Sequence, residues 1–187
     1  METDNIEIIK NGGVGVIPTD TVYGLACSAF NESALERMFE IKGRAENKPP
    51  VVLIAEMKDL EKFGAELSDR AKILVTKFWP GPVSIILPIK KELAYLDKGL
   101  GLAIRLPDNS QLRDFLKKTG PLATTSANLQ GQPPAKNIEE ARKYFGRRVD
   151  FYKEGCDLSQ TASTLVKVKG DKVEILRQGT LRIDSNF

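Results

Sequence analysis

The 187-residue chain contains no histidine, which removes the most frequent general base, proton shuttle and metal ligand of proteins. Any catalysis it performs runs without imidazole. Cysteine is nearly as scarce. Cys27 and Cys156 lie far apart without CxxC spacing, so a zinc finger and a dithiol redox motif are excluded. Each reads as a small buried residue, and a reducing compartment fits best. No apolar run reaches the ~18 residues of a membrane span. Glu2, Asp4 and Glu7 stand where a secretory leader needs basic residues. The expectation is a cytoplasmic protein without membrane contact. Net charge is also small, +3 from 28 Lys+Arg against 25 Asp+Glu, and that balance alone argues for neither a nucleic-acid nor a membrane partner. Gly12-Gly13-Val14-Gly15 lacks a following Gly-Lys-Ser/Thr and precedes a strand, so it is neither a P-loop nor a dinucleotide fingerprint. The single tryptophan, in Trp79-Pro80-Gly81-Pro82, reads as a packing residue in a rigid turn rather than a base-stacking platform.

What is present has globular proportions, with 41% hydrophobic and 28% charged residues, enough for one domain over residues 1–187. Helix and strand signals alternate without repeats or linkers. A capping box at Ser33 and Glu36 opens a helix that Gly43 ends, placing Lys42 in its last turn. Further helices read from Ser68 to Phe78, Ser110 to Lys118 and Asn137 to Phe145. Short β runs fall at Val14 to Ile17, Val51 to Ile54, Val83 to Leu87, Leu102 to Leu106, Leu122 to Thr125 and Ser163 to Val168. Several are continuously apolar, as in strands covered on both faces. Lys169-Gly170-Asp171-Lys172 before Val173 to Leu176 reads as a hairpin. The fold class is therefore α/β, a twisted mixed sheet flanked by helices, ending antiparallel.

Three segments concentrate polar chemistry. Pro18-Thr19-Asp20-Thr21-Val22-Tyr23-Gly24-Leu25 follows the first strand and presents hydroxyls, as either a ligand site or a plain side-chain turn. Lys42, Arg44 and Lys48 place three cations within seven residues beside Pro49-Pro50. That cluster suits a phosphate clamp, or else a solvated helix end favoured by the dipole. Thr124-Thr125-Ser126-Ala127-Asn128 ends a strand with hydroxyls and an amide, either lining a crevice or forming a polar turn. The pairs Lys117-Lys118, Arg142-Lys143 and Arg147-Arg148 sit at predicted helix ends, where the dipole favours cations, and could also touch RNA phosphates.

Taken in order, these segments together with Trp79-Pro80-Gly81-Pro82, Arg105-Leu106-Pro107 and Ile175-Leu176-Arg177-Gln178-Gly179 resemble the YrdC/Sua5 family of threonylcarbamoyl-AMP synthases, from about Gly12 to Gly179. The resemblance implies the short form, without the additional C-terminal domain of longer members. It implies a nucleotidyltransferase that joins L-threonine, bicarbonate and ATP into L-threonylcarbamoyladenylate with release of pyrophosphate, for the threonylcarbamoyl modification of tRNA adenosine 37. Position by position, it assigns Lys42, Arg44, Ser126 and Asn128 to the reaction centre. It assigns Arg44, Lys48, Ser126 and Arg177 to ATP, and Thr21, Arg105, Thr124 and Ser163 to L-threonine. Lys42 and Asn128 would contact the carbamate or the α-phosphate. Mg²⁺ is expected to arrive with ATP, with no dedicated protein site. A threonylcarbamoyl transferase is the implied pathway partner, and tRNA or double-stranded RNA a further one. Departures from longer members are Leu53 for a histidine, Gly101 and Pro134 for hydroxyl residues, and Lys48 for an asparagine. The competing reading is a non-catalytic RNA-binding module with a basic concave face, and a third is carbamoyl transfer to another amine.

Overall fold

A computed structural model describes residues 2–43, 49–97, 99–158, 161–169 and 172–184. In chain order the elements are α1 (Glu2–Lys10), β1 (Gly15–Pro18), β2 (Tyr23–Ser28), α2 (Glu32–Lys42), β3 (Val51–Leu53), a 3-10 segment (Met57–Phe63), α3 (Asp69–Phe78), β4 (Val83–Leu87), a 3-10 turn (Lys91–Leu93), α4 (Ala94–Asp97), β5 (Leu102–Arg105), α5 (Ser110–Thr119), β6 (Leu122–Ser126), α6 (Ile138–Phe145), β7 (Phe151–Tyr152), β8 (Thr164–Lys169) and β9 (Lys172–Arg177). The strands form one mixed sheet in the order β7-β1-β2-β6-β3-β5-β4-β8-β9. The expected mixed α/β class is observed, and β8 and β9 pair antiparallel as the hairpin reading requires. The turn residues Gly170 and Asp171 lie outside the described residues.

Period-two alternation divides the core between the two faces of the sheet. Val16, Leu25, Val52, Val83, Ile104 and Val166 point to one side, where α2, α3 and α6 supply Leu35, Met38, Leu74, Val75 and Phe145. Ile17, Ala26, Leu53 and Leu122 point to the other, beneath Ile6 and Ile9 of α1 and Leu112, Phe115 and Leu116 of α5. Leu53 therefore belongs to a packed apolar layer. The helices α1 and α5 roof only part of that second face. Beyond them, Thr124, Val51, Ala103, Ile86 and Lys167 are successive cross-strand partners on β6, β3, β5, β4 and β8, and all five line a cavity. The sheet is thus covered on both faces at one end and bears its open concavity at the other.

Two sequence expectations need correction at helix ends and cysteines. The cap of α2 is Asn31, whose side chain accepts from the Ala34 amide at 2.9 Å, rather than Ser33. An Asn cap satisfies the exposed first-turn amides as well as Ser does. Cys27 is buried as expected, but Cys156 is exposed, because it lies in the irregular segment after β7. The helix beginning at Ser68 is as expected, with the Ser68 hydroxyl accepting from Ala71 N. Trp79 is a packing residue, its indole N–H donating to Val83 O at 2.7 Å.

Candidate active site

The β1–β2 turn is built by Thr19. Its hydroxyl donates to Val22 O at 2.6 Å and accepts from the amides of Thr21 and Val22 at 3.2 Å each. Thr19 closes a side-chain turn, as one reading of this segment has it, and with Thr21 it also borders the cavity. Gly24, the first residue past that turn to line the cavity, leaves room for Thr125 O, which would lie 3.3 Å from a Cβ.

Helix α2 ends at Gly43, which adopts the left-handed φ of 65° and donates its amide back into the last turn. Glycine reaches that conformation without the Cβ penalty. The termination delivers Lys42 to the end of β6. Its ammonium, buried with the residue 5% exposed, donates to Ser126 O at 2.5 Å, Asn128 Oδ1 at 2.9 Å, Asn128 O at 3.2 Å and Ser126 Oγ at 3.3 Å. The Asn128 amide group in turn donates to Leu129 O and Gln132 O, and Gln130 N donates to Lys42 O. Lys42, Ser126 and Asn128 are therefore one hydrogen-bonded unit, locking the loop after β6 to the end of α2.

Opposite them, Arg105 at the end of β5 lies 2.9 Å from Asp20, both side chains nearly buried. Burial pulls the Arg105 guanidinium below its ordinary value, Asp20 offsets part of that, and Arg177 lowers it further. It remains a cation, since guanidinium does not deprotonate in proteins. Arg177 on β9 donates through Nε to Ser163 O at 3.1 Å and through Nη2 to Ser163 Oγ at 3.5 Å. The Ser163 hydroxyl sits 2.9 Å from that of Ser84 on β4. Thr124 donates to Val51 O.

The resulting cavity has a volume of about 670 Å³, of the size that takes nucleotides and other cofactors. Eight of the ten residues singled out from sequence line it: Thr21, Lys42, Arg105, Thr124, Ser126, Asn128, Ser163 and Arg177. Arg44 and Lys48 lie outside the described residues. Lys167 and Gln130 also line it and were not singled out. Lys167 is one of several lysines on an alternating strand, a pattern that carries no mark of a site. Gly101, one of the departures, stands at the rim with φ 88°. Among the described residues no group of three or more Cys, Asp or Glu side chains could hold a metal ion, and no helix is long and apolar enough to cross a membrane. The six cations of the pairs Lys117-Lys118, Arg142-Lys143 and Arg147-Arg148 are exposed at or just beyond the ends of α5 and α6, away from the cavity lining.

Fold and site together define an α/β protein whose crevice, rich in cations and hydroxyls, opens on the uncovered face of a mixed sheet. The profile of the Sua5/YciO/YrdC family, described as "Telomere recombination", matches residues 7–179, and the chain belongs to that family. The threonylcarbamoyl-AMP synthase of Bacillus subtilis is 34% identical over 177 residues, covering 92% of this chain and 51% of its own length. The chain thus spans about half of that relative. The threonylcarbamoyl-AMP synthase of Cellvibrio japonicus is 32% identical over 151 residues, covering 79% of this chain and 80% of its own. Among solved structures, Sua5 of Pyrococcus abyssi complexed with L-threonine superposes with a TM-score of 0.90 at 29% identity, over 96% of this chain and 54% of that one.

Proposed function

We propose that the chain is an L-threonylcarbamoyladenylate synthase. It would form threonylcarbamoyl-AMP and pyrophosphate from L-threonine, bicarbonate and ATP, in the cytoplasm, for the modification of tRNA adenosine 37. The observation that carries this reading is the convergence, in one cavity, of eight residues drawn from separate elements and matching the family pattern. The amine of L-threonine attacks the carbon of bicarbonate and water leaves, giving a carbamate whose oxygen attacks the α-phosphorus as pyrophosphate leaves. A carboxylate, a carbamate and a triphosphate must then share one crevice. Fixed cations and donors offset their repulsion and stabilise the charge of the transition state.

Arg105 is the partner for the threonine carboxylate, beside Thr21, Thr124 and Ser163. Arg177 and Ser126, with Arg44 and Lys48, serve ATP. Lys42 and Asn128 hold the loop that presents Ser126. Mg²⁺ bound to the triphosphate would neutralise charge there. Holding three substrates in register is itself worth about 7–11 kcal/mol in well-oriented systems, so histidine is not required. The RNA-binding alternative gains less support, because the cations that motivate it stand apart from the cavity. Pyrophosphate release is the test. It should require ATP, L-threonine and bicarbonate together, and release indifferent to threonine and bicarbonate would count against the proposal.

A further inference from the structure

Asp20 is the one carboxylate among the described residues that is buried against a cation of the cavity. Its side chain is 5% exposed and that of Arg105 6%. The carboxylate lies in the turn that Thr19 closes, so its backbone is fixed from both sides. Arg105 Nη2 approaches Asp20 Oδ1 at 2.9 Å, yet neither oxygen of Asp20 has a hydrogen bond of good angle, and Arg105 Nε, also buried, has no hydrogen-bond partner. As a stabilising device this is a poor arrangement. Two ions are desolvated, and the remaining lone pairs and N–H groups that would repay the cost are left unmet. The unmet donor is informative, because buried N–H groups normally find partners. Arg105 is a lining residue of the cavity, and with Nη2 turned to Asp20 the guanidinium keeps further N–H groups for a second acceptor.

We propose that Asp20 is a positioning residue. It holds Arg105 through Nη2 and so fixes the guanidinium that lines the cavity in the orientation that meets an incoming carboxylate. The inference rests on the reading that this carboxylate is that of L-threonine. Asp20 touches no substrate in this account and acts through Arg105. It discriminates a ligand with a free carboxylate from one without, and it leaves the nucleotide side of the cavity alone.

The test is equilibrium binding of L-threonine, L-threonine amide and ATP to the whole protein and to Asp20→Asn. The wild type should prefer L-threonine to its amide. In Asp20→Asn the affinity for L-threonine should fall about tenfold or more, that for the amide should change little, and ATP should bind within about twofold. Equal loss for L-threonine and the amide, or an unchanged L-threonine affinity, overturns the positioning role while leaving the synthase reading standing. A wild type that binds ATP but neither prefers nor binds L-threonine overturns both. Should Asp20→Asn not fold, side-chain NMR of the arginines in the wild type decides the matter. Restricted rotation of the Arg105 guanidinium before ligand addition, with an Nε–H shift on adding L-threonine, is expected, and free rotation without ligand refutes it.

Discussion

Replacing Lys42 by methionine keeps an unbranched stem out to the Cε position and removes the ammonium, testing whether that charge holds the loop after β6. In the native chain three N–H donors serve four oxygens between 2.5 and 3.3 Å. Ser126 O retains the Asn128 amide at 3.0 Å, and Ser126 Oγ borders the cavity, where water can replace the lost donor. Asn128 O and Asn128 Oδ1 have no other hydrogen bond among those described. Leaving two buried acceptors unsatisfied costs about 1–3 kcal/mol each, so about 2–6 kcal/mol in all, against a total stability of roughly 5–15 kcal/mol for a domain. The lower bound alone lowers Tm by about 4–8 °C at this chain length. Urea and thermal unfolding should show this loss for Lys42→Met, together with weakened ATP binding, because Ser126 is no longer presented. A variant within about 0.5 kcal/mol of the wild type would refute the view that the ammonium is the keystone of the unit.

Two further outcomes follow from groups outside the cavity. Arg37 grips Asp150 with both Nη atoms, at 2.5 and 3.0 Å, while Val14 N donates to the same carboxylate, and these bonds hold Asp150 below its ordinary value. A lowered folded-state value contributes stability that is present above the unfolded value of about 3.9 and is lost as pH falls through the folded value. Asp150→Asn should therefore show a shallower loss of stability below about pH 4, by less than about 1 kcal/mol because the pair is partly exposed; an identical acid profile contradicts this. Burial pushes the Cys27 thiol up to about 12, whereas Cys156 is exposed. A thiol reagent at neutral pH should titrate one cysteine in the native protein and the second only after unfolding, and two fast-reacting thiols would contradict the packing of Cys27 beneath α2.

The sequence was most legible where local chemistry and tertiary structure agree. Apolar runs such as Val83 to Leu87 reappear as strands, and Gly43 stops α2 at Lys42 because a left-handed residue is needed there. Strand β2 was not legible. Tyr23-Gly24-Leu25-Ala26-Cys27-Ser28 lacks β-branched residues, and it is extended only because β1 and β6 flank it on either side. The two-residue β7 and the 3-10 segment from Met57 carry no periodic signal long enough to read. In the site, the hydroxyl and cation motifs announced themselves by composition. Their partners did not. Ser84 is a single polar residue within an apolar strand, placed by the β4–β8 pairing beside Ser163, and the meeting of Asp20 with Arg105 joins two segments 85 positions apart, 105 minus 20. Pairings of that kind are set by sheet order, which no local pattern encodes.

The central claim is that this cavity joins three small molecules into one adenylate. Mass spectrometry of a reaction containing the protein, ATP, L-threonine and ¹³C-bicarbonate tests it most directly. Threonylcarbamoyl-AMP carrying one ¹³C, absent when any substrate is omitted, is the predicted result. A complete mixture in which ATP and L-threonine both bind, yet no labelled adenylate forms, would contradict it.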